Sequence, residues 1–156
     1  MSFKTTALAG LVAAFTATTA WAGGIELHDA YARASTPSAK SGAAFMMIHN
    51  HDGEADRLIG ASSPVAKRVE LHTHQEDANG VMQMKHVEEG FELPKDGEIH
   101  LKRGGKHVMF MGLTESFEQG KKIPLTLIFE KAGEMEFEIE VDLERKEEHS
   151  HDHGSD

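Results

Sequence analysis

Apolar and charged residues alternate with a period of two over much of this sequence. The clearest run contains Met135, Phe137 and Ile139 interleaved with glutamates. Because successive side chains of a β-strand point to opposite faces, this run predicts a strand with one buried and one solvated face. Residues 123–129 form a second run rich in β-forming residues, and the Lys-Ala-Gly sequence at 131–133 predicts a hairpin turn that pairs the two strands.

The same alternation predicts further short strands, separated by clusters of Gly, Pro, Asp and Asn. These candidates lie at residues 30–34, 43–50, 56–61, 68–74, 81–87, 98–101 and 106–111. No stretch shows a convincing helical period. Eight or nine short strands without a helix predict an all-β fold, an antiparallel sandwich or barrel of Greek-key type.

The length and net charge of the chain limit its number of domains and the kinds of partner that it can bind. The 156 residues suit one domain, and 26 acidic against 16 basic residues give a formal net charge of −10. A chain this acidic lacks the basic surface that nucleic acid or anionic lipid requires. Residues 1–22 have the features of a secretory signal peptide, with Lys4 before an apolar run and Ala20-Trp21-Ala22 as the cleavage site. We therefore expect an exported mature domain that starts at Gly23 and does not insert into the membrane.

Several kinds of chemistry are excluded by residues that the sequence lacks. With no cysteine there can be no disulfide, no thiolate nucleophile and no thiolate ligand of the kind that electron-transfer cupredoxins use for a blue copper site. No nucleophile elbow, phosphate-binding loop, zinc-protease motif or dinucleotide fingerprint is present. These absences favour a protein that is not an enzyme, and they direct attention to its eleven histidines and eight methionines.

A group of histidines and methionines shares the spacing of metal ligands. Its principal members are His72, Met84, His107 and Met109, with His74, Met82 and Met111 nearby. Residues two apart on a strand project from the same face, so each neighbouring pair offers two donors to one side. Thioether sulfur suits Cu(I), and imidazole binds copper in either oxidation state. Evenly spaced methionines would also suit the inward face of two core strands, and the imidazole of His107 on that face favours the metal site.

Four segments resemble the PCuAC family of periplasmic copper chaperones. They are VELHTH at residues 69–74, GVMQM at 80–84, LKRGGKHVMFMGL at 101–113 and IPLTL at 123–127, and residues 28–34 and 41–46 also resemble that family. The resemblance implies a cupredoxin-like fold and a Cu(I) site formed by His72, Met84, His107 and Met109. In the family pattern the second methionine of the 82/84 pair is the ligand. The resemblance also implies that the protein carries copper through the periplasm to the CuA centre of cytochrome c oxidase, alongside Sco-type proteins.

The remaining histidines fall into three groups. Residues 144–156 predict a flexible acidic tail after a domain at 23–143, and its His149, His151 and His153 are candidate Cu(II) ligands or simply solvated side chains. If the tail is the main binding element, the protein would instead be a periplasmic buffer of copper, zinc or nickel. His49 and His51 share a strand-end face with Met47 and form a candidate accessory site. The pattern predicts that His28, His86 and His100 lie at the surface.

Overall fold

The computed structural model describes residues 24–146, which form ten β-strands and no helix. The strands are β1 (Ile25–Arg33), β2 (Ser41–Asn50), β3 (Asp56–Ser62), β4 (Ala66–Glu76), β5 (Met82–His86), β6 (Phe91–Leu93), β7 (Glu98–Leu101), β8 (His107–Leu113), β9 (Lys122–Phe129) and β10 (Gly133–Val141). Within this range nothing resembles a helix long and apolar enough to cross a membrane. The predicted signal peptide and the tail histidines fall outside the described residues.

The strands form one sheet whose two halves enclose a single core. The order is β5-β4-β8-β2-β1-β10-β9-β3-β6, and β7 pairs with the second half of β2. Only the junction of β1 with β10 is parallel, and every other pairing of the described strands is antiparallel. Inward side chains from both halves, such as Phe110 and Leu71 from one and Leu58 and Leu127 from the other, meet in the core. The all-β prediction is therefore confirmed.

The predicted hairpin near the C-terminus is present. β9 pairs with β10 over eight residue pairs, from Phe129 opposite Gly133 to Lys122 opposite Glu140. Gly133 has a φ of 77°, a left-handed conformation that glycine adopts without steric cost. β10 ends at Val141.

The sequence pattern missed one strand. β6 has three residues, too few to show alternation, and it pairs with β3 at the edge of the sheet. Gly90, which has a φ of 73°, precedes it. A Cβ atom on Gly90 would overlap the carbonyl oxygen of Leu58, so the close approach of the two segments requires glycine here. This strand depends on a tertiary contact, which the local alternation of apolar and polar residues does not reveal.

The first strand begins five residues before the predicted start at residue 30, because a β-bulge interrupts its alternation. His28 lies opposite Met47 and Tyr31 lies opposite Phe45, so two residues of β1 occupy the space opposite one residue of β2. Asp29, in the bulge, has a φ of 50°. In a regular strand His28 and Tyr31, three residues apart, would face opposite sides of the sheet, and the bulge brings them to the same face.

Asp56 ties the β9–β10 turn to β3. Its carboxylate accepts hydrogen bonds from the backbone N–H groups of Arg57 at 2.7 Å and of Lys131 and Ala132, both at 2.9 Å. Partial burial raises the pKa of Asp56, but the three N–H donors outweigh it and the pKa lies below its ordinary value. The folded state therefore favours the ionised carboxylate.

We expect Asp56→Asn to lower the free energy of unfolding by about 1–3 kcal/mol, because the charged acceptor of three N–H groups is lost. Since the pKa is lowered on folding, this stabilisation is present above the unfolded pKa of about 3.9 and disappears as the pH falls through the folded value. Urea unfolding at pH 7 and at pH 3 measures both effects. Glu134→Gln, which removes an exposed charge on β10, is the control and should change stability by less than about 0.5 kcal/mol.

Candidate metal centre

Three neighbouring strands, β5, β4 and β8, bring the predicted donors together. His72 on β4 lies directly opposite His107 on β8 and opposite His86 on β5. Directly opposed residues of an antiparallel pair share a face, so these three imidazoles lie on one side of the sheet. Residues two or four positions along the same strands share that side. They are Arg68, Glu70, His74, Glu76, Met82, Met84, Met109 and Met111.

This side faces away from the core, and we call it the outer face. Leu71 and Val108, opposite each other in the same strand pair, point the other way and are fully packed in the core. Met82 and Met84 are 54% and 48% exposed. The alternative that these two methionines fill the core is therefore wrong, and both residues are exposed to solvent.

His107 is the buried member of the group, with 2% of its surface exposed. Its Nδ1 lies 2.9 Å from the carbonyl oxygen of Gly105, which can only accept, so Nδ1 carries the proton and Nε2 carries the lone pair. Burial lowers the pKa of His107, and the nearby rings of His74 and His72 lower it further, against the opposing effect of the Gly105 carbonyl. The imidazole is accordingly neutral at physiological pH, the form that binds a metal.

His72 is prepared in a similar way by Glu70. Its Nε2 lies 2.8 Å from a carboxylate oxygen of Glu70, whose other oxygen lies 3.0 Å from Nε of Arg68. The hydrogen bond from His72 lowers the pKa of Glu70, and the charges of His86 and Arg68 add to this against partial burial. With an ionised carboxylate at Nε2, the proton lies there. Nδ1 of His72, which is buried and has no hydrogen-bond partner, is left with the lone pair.

His74 and Glu70 contribute more than the sequence indicated. The His74 ring lies 5.3 Å from the His107 ring, nearer than the 5.8 Å between His72 and His107. Nδ1 of His74 is also buried without a partner. Glu70 was not among the predicted site residues, although it lies two residues before His72 on a predicted strand. That spacing was the only available signal for it.

The four nearby methionines occupy different positions on the outer face. Met84 lies opposite His74, whereas Met82 lies two residue pairs farther out, opposite Glu76. Met109 follows His107 by two residues and lies opposite Glu70. The sulfur of Met111 accepts a hydrogen bond from the Arg68 guanidinium at 3.5 Å, so a cation already engages one of its two lone pairs. The register thus favours Met84 and Met109 as sulfur donors beside the imidazoles.

Nitrogen and oxygen donors alone do not complete a site here. Across residues 24–146, no three His, Asp or Glu side chains stand in an arrangement ready to hold a metal ion. The free ring nitrogens of His72 and His107 are instead accompanied by thioethers on the same face. Such a mixed set is soft and uncharged, which suits Cu(I) better than Zn²⁺, Mg²⁺ or Ca²⁺.

Solved structures with the same architecture confirm the cupredoxin-like fold. The solution structure of apo-DR1885 from Deinococcus radiodurans is 26% identical, with a TM-score of 0.62 over 92% of this chain and 95% of that one. The solution structure of CuI-DR1885 from the same organism is 28% identical, with a TM-score of 0.60 over 83% and 87% of the two chains. The copper-bound PCuAC domain from PmoF2 is 24% identical and has a TM-score of 0.63 over 78% and 95%.

Sequence comparison identifies the family. A protein of Leifsonia xyli subsp. xyli (strain CTCB07) with the name "Putative lipoprotein Lxx21020" is 36% identical over 108 residues. The match covers 69% of this chain but only 63% of that relative's length. The family described as "Putative lipoprotein LpqE-like" matches residues 25–141, which includes every described strand. The chain therefore belongs to the LpqE-like family, and its fold is shared with PCuAC copper domains.

Proposed function

We propose that this protein is a periplasmic copper chaperone that binds one Cu(I) ion through His72, His107, Met109 and Met84. The observation that carries the proposal is the pairing of His72 with His107 on the outer face, each with one ring nitrogen held by a hydrogen-bond acceptor and the other free to bind a metal. The DR1885 structure with CuI, 28% identical to this chain, supports copper as the cargo.

The donor set also supports a carrier that releases its ion. Two imidazoles and two thioethers leave the charge of Cu(I) uncompensated, and none of them binds as strongly as a thiolate. Transfer to an acceptor with cysteine ligands would then be favourable without an energy source. We propose that this acceptor is the apo CuA centre of cytochrome c oxidase, with Sco-type proteins acting beside it.

Removal of one imidazole and one thioether tests the site directly. His107→Ala combined with Met109→Ala should weaken Cu(I) binding by roughly 100-fold or more, because half of the donor set is lost. Competition with a Cu(I) chelator of known affinity measures the change. Met111→Ala is the matched control, since Met111 lies on the same strand and face but its sulfur is engaged by Arg68. An unchanged affinity in the double variant would contradict the proposal.

The two exposed methionines of β5 allow a second comparison. Met84→Ala should weaken Cu(I) binding about 10-fold, because its sulfur is replaced by a weaker ligand such as water. Met82 lies farther from the imidazoles than Met84, so Met82→Ala should leave the Cu(I) affinity within about twofold of the wild type. X-ray absorption of the reduced, copper-loaded proteins would count the sulfur atoms lost in each. A larger effect of Met82→Ala than of Met84→Ala would assign the ligand to Met82.

Glu70 should act as a positioning residue through His72. Glu70→Gln removes the ionised acceptor at Nε2, so the ring can adopt the other tautomer, and Cu(I) affinity should fall about 10-fold. Nitrogen chemical shifts of His72 report the tautomer before copper is added. Glu70→Asp keeps the charge and should restore part of the affinity. If Glu70→Gln leaves both the tautomer and the affinity unchanged, Glu70 has no such role.

Substitution of the tail histidines distinguishes the chaperone function from a metal buffer that binds through the C-terminal tail. With His149, His151 and His153 replaced by alanine in the full chain, a chaperone with its site on the outer face should still bind one Cu(I) ion. Loss of all metal binding in that variant would favour the buffer function instead.

A further inference from the structure

A second cluster of donors lies on the outer face, at the end of the sheet formed by β1, β2 and β7. Glu26 lies opposite His49, and His28 lies opposite Met47. His51 follows β2 directly, and its ring centre is 3.9 Å from that of His49. The β-bulge in β1 begins just after His28, so Glu26 and His28 keep the same side as the donors of β2. Three imidazoles and one carboxylate therefore share a small area.

The spacing of these donors is close to that in a metal site. One carboxylate oxygen of Glu26 lies 3.5 Å from Nε2 of His28 and also 3.5 Å from Nε2 of His51. Two ligands of one metal, each bound at about 2.0–2.2 Å, are roughly 3–3.5 Å apart in tetrahedral or square geometry. His49 is the fourth donor, with its ring centre 6.4 Å from that of His28.

The side chains must still turn to complete the coordination. No finished arrangement of three such groups exists among residues 24–146. The side chains of His28, His51 and Glu26 are 43%, 48% and 58% exposed, so rotation about their χ angles meets little packing. The energy needed is small compared with the binding free energy of a metal with three or four ligands.

The backbone beneath the cluster is held in place. Asn50 is fully buried, and its side-chain amide donates to the carbonyl oxygens of Glu54 at 2.7 Å and Pro94 at 3.1 Å. Its side-chain oxygen accepts from the N–H of Asp52 at 2.9 Å. A Cβ atom on Gly24 would lie 2.8 Å from Cβ of His51, so glycine is required at this position, directly before β1. His49 and His51 therefore stand on a fixed frame on either side of Asn50.

We propose that Glu26, His28, His49 and His51 form a second metal site, which takes a divalent transition metal with Cu(II) bound most tightly. Imidazole nitrogen with one carboxylate oxygen is the donor set of divalent copper and zinc, and affinity for such sites rises to a maximum at Cu(II). The site lacks the paired thioethers that favour Cu(I). It is independent of the proposed Cu(I) site, which uses other strands of the same face.

The test counts Cu(II) equivalents in the full chain with His149, His151 and His153 replaced by alanine, so that the tail does not contribute. Adding His28→Ala and His51→Ala should abolish one equivalent of Cu(II), together with its nitrogen hyperfine pattern in electron paramagnetic resonance. Glu26→Gln alone should weaken that equivalent about 10-fold. Circular dichroism and an unchanged Cu(I) competition titration would show that the fold and the first site are intact.

Two controls make the result decisive. His100→Ala removes a histidine on the neighbouring strand of the same face whose ring is engaged by Glu98, and it should retain the Cu(II) equivalent. His72→Ala with His107→Ala should abolish Cu(I) binding and leave the Cu(II) equivalent in place. The proposal is overturned if His28→Ala with His51→Ala changes nothing, or if either control removes the equivalent instead. If only the proposed Cu(I) site proves wrong, the proposal of a second metal site is not affected.

Discussion

The antiparallel pairing of β4 with β8 is the constraint on which the rest of the site depends. It sets His72 opposite His107 on the outer face and, by the same register, Leu71 opposite Val108 in the core. A shift by one residue would turn every side chain of the strand to the other side. Because burial of each large apolar side chain contributes about 1.5–3 kcal/mol, the core face holds the register and thereby holds the imidazoles together.

Hydrogen bonding then decides which ring atoms can act as ligands. The Gly105 carbonyl keeps the proton of His107 on Nδ1, and the Glu70 carboxylate keeps that of His72 on Nε2. Each ring is left with one lone pair, and burial keeps His107 neutral. A histidine without these partners would exchange between tautomers and would be partly protonated near pH 6.5. The two acceptors therefore fix the tautomers that the proposed Cu(I) site needs.

The outer face joins two donor groups with different chemistry. The ring of Phe45 lies between the two groups, 6.1 Å from the ring of His107 and 5.4 Å from the ring of Tyr31. These aromatic side chains of β1 and β2 separate the two groups of donors. In the group on β4, β5 and β8, thioethers accompany the imidazoles. In the group on β1 and β2, a carboxylate accompanies them. Soft donors favour the monovalent ion and harder donors favour the divalent ion, so the two proposed sites would take copper in different oxidation states.

The all-β architecture could be predicted from the sequence, because apolar alternation with a period of two is a local property that shows which face of a strand is buried. The sequence also indicated which segments carry the imidazole and thioether donors. The folded structure was needed to show that β4, β5 and β8 are neighbours, that their donors face outward, and that Glu70 and His74 join them. Strand order and register depend on contacts between residues far apart in the chain. The bulge at Asp29 and the short strand β6 likewise depend on neighbouring strands, so no local pattern could have predicted them.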